Sequence, residues 1–140
     1  MILNQFKRSQ AEVIHKLSRS RSNIDFTFNL WSSPNHRAFL GVVAHWMDHT
    51  LNLHSTVLRL WGFRGRHTGE NQAKHFWDLV KTYQITGKIG YFTLDNASNN
   101  NTALQYISKY LHELGIGFNL IKRRLRCFGQ IINLTVKAFL

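Results

Sequence analysis

Asp95 closes the apolar run Ile89–Leu94 and is followed by Asn96-Ala97-Ser98-Asn99-Asn100, a setting that can present a carboxylate to a hard divalent cation. If that run is a strand, its carboxyl end opens on the crevice where α/β folds usually place their ligands. The same residues also suit a turn that caps the next helix, and residue type alone leaves both roles open. Asn29 is the second candidate. It sits in Phe28-Asn29-Leu30-Trp31, where a polar side chain among large apolar ones must find a partner or face an opening. If their strands pair, Asn29 and Asp95 would approach each other across the sheet. His45, Asp48, His49 and His54 invite a metal reading, but they lack the helical i, i+4 spacing that aims two imidazoles at one ion, and solvated turn residues fit them better. Lys122-Arg123-Arg124-Leu125-Arg126 reads either as a phosphate-contacting or nuclear-import patch or as an edge strand guarded by charge.

The elements that must position these residues follow from periodicity. Val13, Ile14 and Leu17 form one helical stripe, and the Ser- and Arg-rich stretch 18–22 reads as an exposed connector. Ile24 to Trp31 is rich in aromatic and β-branched residues and stops at Ser32-Ser33-Pro34-Asn35, as a strand entering a turn would. Ala38 to Met47 and Leu53 to Phe63 follow, with Asp48-His49-Thr50 between them, which predicts an antiparallel three-stranded meander. Thr68 caps a predicted helix with Ala73, Phe76, Trp77, Val80 and Tyr83 on one face, and Gly87 breaks it. Ile89 to Leu94 has the continuous apolar character of a central strand buried on both faces. The next helix buries Ala103, Ile107, Tyr110, Leu111 and Leu114 and ends at Gly115 and Gly117. The segment from Lys122 passes from a strand into an amphipathic helix carrying Phe128, Ile131, Ile132, Val136 and Phe139. The expected fold class is α/β: a mixed sheet of three antiparallel strands, then alternating helices and strands.

Composition narrows the partners. The chain has 140 residues, 44% of them hydrophobic, enough for one modest core. Its 18 Lys and Arg against 7 Asp and Glu give a net charge of +11, a field that attracts polyanions, with nucleic acid first among them. The single cysteine, Cys127, excludes an internal disulfide and any zinc site built on two thiolates of this chain. No stretch reaches the roughly 20 apolar residues of a membrane span, and residues 1–10 lack the apolar core of a secretory signal, so a soluble protein without membrane partners is expected.

Four segments together resemble one family. Asn29-Leu30-Trp31-Ser32-Ser33, Arg64-Gly65-Arg66-His67-Thr68-Gly69-Glu70-Asn71, Leu94-Asp95-Asn96-Ala97-Ser98-Asn99-Asn100 and Arg126-Cys127-Phe128-Gly129-Gln130-Ile131-Ile132-Asn133-Leu134 look like the fungal branch of the hAT-superfamily DNA transposases, in the family's order. The resemblance covers Val13 to Leu140 and implies an RNase H-like core. Residues 24–140 would form that domain, incomplete at its end, and residues 1–23 a basic helix and connector. In intact members two Asp and a distant Glu hold Mg²⁺ or Mn²⁺, which activates water or a DNA 3′-hydroxyl. Here the first Asp position is Asn29, Asp95 matches the second, and the Glu is expected beyond residue 140. The family's Cys-x-x-His reads Cys127-x-x-Gln130, an amide in place of a titratable imidazole. The zinc-binding and dimerisation regions that flank such cores are not in this sequence.

The resemblance therefore implies a catalytically inactive, nuclear fragment without a resident cofactor, in which Asp95 is a vestigial metal ligand. Weak, sequence-independent DNA binding would run through Arg64, Arg66, Lys122, Arg123, Arg124 and Arg126. Self-association would follow from the apolar C-terminal helix. A domesticated DNA- or protein-binding module is the alternative. An active nuclease would need its missing carboxylate from Asp25, Asp48, Glu113 or a partner chain, and Asp25 lies about 13 Å from Asn29 along the strand.

Overall fold

The protein was analysed as a computed structural model that describes residues 2–32, 37–63, 68–95, 98–127 and 137. Its elements run α1 (Ile2–Ser18), β1 (Ile24–Ser32), β2 (Ala38–Met47), β3 (Leu53–Phe63), α2 (Gly69–Thr82), a 3₁₀ turn (Thr86–Lys88), β4 (Ile89–Leu94), α3 (Ser98–Glu113) and β5 (Arg124–Arg126). The sheet order is β3-β2-β1-β4-β5. β1 and β2 pair antiparallel, as do β2 and β3, whereas β4 lies parallel to β1 and β5 parallel to β4. This is the RNase H-like mixed sheet: a meander first, then parallel strands reached through helical crossovers.

Alternation sets the faces. Ile24, Phe26 and Phe28 of β1 are buried, and so are Leu40, Val42, Ala44 and Trp46 of β2, while Asp25, Thr27 and Asn29 point to the opposite face. Phe76, Leu79 and Val80 from α2 and Leu104, Ile107 and Leu111 from α3 pack onto the buried face in one core. Phe92 of β4 is its centre, with its ring 5.3 to 5.8 Å from the rings of Phe26, Phe28, Phe76 and Phe118. Leu17 is fully buried in the same core, so α1 packs onto the domain that follows it. The connector after α1 is tied down as well: Arg21 N–H donates to Met47 O at 2.9 Å, and Ser22 Oγ accepts from Met47 N–H at 2.9 Å.

One helix end and one residue of a buried stripe depart from expectation, while α3 ends at Gly115 as expected. α2 stops at Thr82, before Gly87, because Gln84 itself takes a left-handed conformation (φ 59°) and lets Ile85 N–H reach back to Val80 O at 3.0 Å. Burial of Ile85 stabilises that turn at a non-glycine residue. α3 stops at Glu113, with Gly115 left-handed (φ 73°) and Ile116 N–H bonded to Leu111 O at 2.9 Å. Leu114, expected in the buried stripe, therefore lies past the helix and is 56% exposed. The predicted C-terminal helix lies outside the described residues except for Lys137, which is helical. Among the described residues no helix is long and apolar enough to cross a membrane.

Candidate catalytic edge

Parallel pairing brings Asn29 and Asp95 to one edge. β1 and β4 pair through Phe26↔Phe92 and Thr27↔Thr93. Asn29 follows Thr27 by two residues within β1, and Asp95 follows Thr93 by two residues, just past the end of β4, so both stand at the carboxyl end of this strand pair. Asn29 is exposed, whereas Asp95 is half-buried and bound to the start of α3: Asn100 Nδ2 donates to Asp95 Oδ1 and, at 3.3 Å, to its carbonyl oxygen. Asn100 is 2% exposed, and its Oδ1 has no hydrogen-bond partner. Sequence reading missed Asn100 as a positioning residue, although it falls on the buried helical period that continues through Ala103, Leu104, Ile107 and Leu111.

β5 flanks this edge with cations whose roles differ. Arg124 donates to Asn101 Oδ1 and, at 3.3 Å, to Asp95 O, which ties β5 to the first turn of α3. Arg123 is spent inside the fold: it donates to Ile89 O at 2.8 Å, and its guanidinium lies 5.6 Å from the centre of the Phe118 ring. Lys122 and Arg126 are exposed. Arg124 and Arg126 line a cleft of about 480 Å³ together with Asn101, Gln105, Leu120 and Ile121. Cys127 is half-buried, and its N–H donates to Leu94 O at 3.2 Å. Arg64, Arg66 and Gln130 lie outside the described residues.

The other acidic candidates serve the fold. Asp25 Oδ1 accepts from Tyr91 N–H at 2.8 Å, at the irregularity where the β1–β4 register shifts by one residue. Asp48 Oδ1 accepts from Thr50 N–H, Thr50 Oγ1 and Asn52 N–H, and its Oδ2 lies 2.6 Å from His54 Nε2. The bonds to His54 and then Thr50 hold the Asp48 carboxyl well below the usual carboxylate range. His45 pairs with Thr27 Oγ1 at 2.9 Å and joins neither Asp48 nor His54.

Among the described residues, the two candidates at this edge offer one carboxylate and one amide, with Asp95 already held by Asn100. A pair of Mg²⁺ ions needs several anionic oxygens, so these residues do not fit a two-ion centre. Among the described residues there is no cluster of three or more His, Cys, Asp or Glu able to hold a metal ion.

Residues 27–117 match the family model of the ZBED1 RNase-like domain. The chain belongs to that family. The match runs from β1 past the end of α3, so this ZBED1 RNase-like domain includes both Asn29 and Asp95. Two Zea mays proteins named as AC and AC9 transposases are each 26% identical over 97% of this chain. A Talaromyces stipitatus protein named as the transcriptional regulator tpeD is 25% identical over 94% of it. The chain spans about one sixth of these relatives, 17%, 16% and 15% of their respective lengths. Among solved structures, the Mos1 transposase catalytic domain with raltegravir and Mg is similar at 13% identity and a TM-score of 0.37, over 79% of this chain and 57% of that one. The ZBED1 RNase-like domain described here is thus a transposase-related, RNase H-like piece of the hAT type that the sequence motifs indicated.

Proposed function

We propose that this chain is a hAT transposase-like domain that does not carry out metal-dependent strand transfer and that acts in the nucleus as a sequence-independent nucleic-acid binder. The observation that carries this reading is Asn29 at the sheet edge beside Asp95: an amide offers a carbonyl oxygen but no charge where Mg²⁺ or Mn²⁺ would need a second anion. The net charge of +11 and the exposed Lys122 and Arg126 support the binding part. A nuclease reading is disfavoured because Asp25 and Asp48, two of the carboxylates that could substitute, are engaged by Tyr91 and by the β2–β3 turn. A domesticated DNA- or protein-binding module is the second reading, favoured by the relative named as a transcriptional regulator.

Nicking of supercoiled plasmid by the purified chain, with Mg²⁺ and with Mn²⁺, tests the first part. The expected outcome is intact plasmid, and metal-dependent cleavage that disappears in Asp95→Ala would overturn it. Binding to a labelled DNA strand should weaken steeply with salt, with a log–log slope of about −0.7 per phosphate contacted. An affinity that is flat with salt would instead favour the protein-binding module.

A further inference from the structure

A second polar cleft lies at the other end of the sheet, where the last turn of α1 meets the β2–β3 turn. His15, Lys16 and Arg19 line one wall, His49, Thr50 and His54 the other, around about 340 Å³. We propose that this cleft is a phosphate site for the backbone of a nucleic-acid strand. The inference rests on the nucleic-acid reading above and adds to it a place of contact distinct from β5.

The walls are held in place by the fold. The bonds from Arg21 to Met47 and from Met47 to Ser22 lock the connector after α1 against the end of β2. The turn opposite is built around Asp48, the one acid that lines the cleft, and its oxygens are taken by Thr50, Asn52 and His54. Lys16 and Arg19, with His15 and His49 beside them, thus face one acid that the turn and His54 already occupy.

The negative end of a helix dipole repels an anion, which would count against a phosphate beside the C-terminus of α1. Lys88 answers that objection. Its ammonium donates to Leu17 O at 3.4 Å, Ser18 O at 2.8 Å and Ser20 O at 3.1 Å, so a distant cation satisfies the end of the helix. Lys16 and Arg19 are not needed as caps, and neither makes an ion pair among the described residues.

On the floor of the cleft the His54 ring stacks over Trp46, with centroids 5.5 Å apart and planes 19° apart. Trp46 is 5% exposed, so the accessible His54 ring is the face that a base can meet. An exposed ring beside cations is how sequence-tolerant sites hold single strands, the base stacking while the phosphate is neutralised.

The test is fluorescence anisotropy of a labelled 20-nucleotide single strand with the full chain, Lys16→Ala/Arg19→Ala and Lys122→Ala/Arg126→Ala, each shown by circular dichroism to melt as the parent does. The cleft variant should lose about tenfold in affinity at low salt and about 1.4 units of salt slope, two contacts at ~0.7 each. If the parent binds, the β5 variant is weakened and the cleft variant is unchanged, the cleft proposal falls and the nucleic-acid reading stands. If the parent does not bind at low salt, both fall. A mononucleotide that binds as tightly as the strand, or polyglutamate that displaces the strand as well as unlabelled DNA does, would also overturn the cleft as a strand site.

Discussion

The aromatic core and the polar edge one strand-end above it are built from the same β1 and β4, yet they obey opposite rules. In the core, Phe92 touches four other phenylalanine rings and every neighbour adds to its burial. At the edge, burial leaves polar atoms short of partners: Asn100 Oδ1 and Arg124 Nε are both buried without a hydrogen bond. Such atoms cost about 1–3 kcal/mol each unless something supplies the missing partner. The positions around Phe92 are apolar throughout, whereas Gln72 of α2, 0% exposed with both side-chain polar atoms unpartnered, shares the defect of the edge. The edge retains an arrangement that stability alone does not explain.

The largest effect should come from the core. Phe92→Ala removes the ring shared by β1, α2 and the segment after α3, and should destabilise the protein by about 3–5 kcal/mol in urea unfolding. A loss below about 1 kcal/mol would mean that the rings do not form one packed cluster. That result would remove the contrast with the edge.

A smaller effect is expected at the opposite end of the same two strands, where β1 and β4 begin. A Cβ on Gly90 would collide with Asp25 Oδ1 and stand 3.0 Å from Ile24 O. Gly90→Ala should cost about 1–3 kcal/mol, as overpacking does. Adding Asp25→Ala should recover part of that loss and not all, because the contact with Ile24 is backbone. A double-mutant cycle reads the coupling, expected at about 0.5–2 kcal/mol. Strict additivity would show that the carboxylate is free to move away and that Asp25 is not fixed by the strand irregularity.

The same contrast explains what was legible in the sequence. Ala38–Met47 and Leu53–Phe63 are strands with the bounds that alternation and the intervening Asp48-His49-Thr50 turn suggest. Thr68 caps α2 as its residue type predicts, its hydroxyl accepting from Asn71 N–H at 3.2 Å. Burial repeats with the period of the element, so core positions leave a local record. The end of α2 does not, because Gln84 is held left-handed by packing of Ile85 and glycine was the only local stop signal. Lys88 as the cap of α1 bonds residues 68 to 71 positions away, and nothing near Lys88 in the chain announces it. Asn29 and Asp95 were legible as a pair through motif resemblance. The arms that hold Asp95, Asn100 and Arg124, emerge only once α3 and β5 are placed beside β4.

The edge itself can be sharpened by giving back one charge. Asn29→Asp places a second carboxylate at the carboxyl end of the β1–β4 pair, two residues past the Thr27↔Thr93 register as Asp95 is. Affinity for a hard cation follows the number of anionic oxygens, so Mn²⁺ binding measured by calorimetry should tighten by about tenfold or more over the parent. Without metal the two like charges should repel, lowering stability by less than about 1 kcal/mol, an effect that salt reduces and Mn²⁺ reverses. Asp95→Ala in the Asn29→Asp background should abolish the gain. If Mn²⁺ binding stays as weak in Asn29→Asp as in the parent, charge is not what the edge lacks. The hold of Asn100 on Asp95 would then be the feature that keeps a cation out, and Asn100→Ala in the same background would be expected to restore binding.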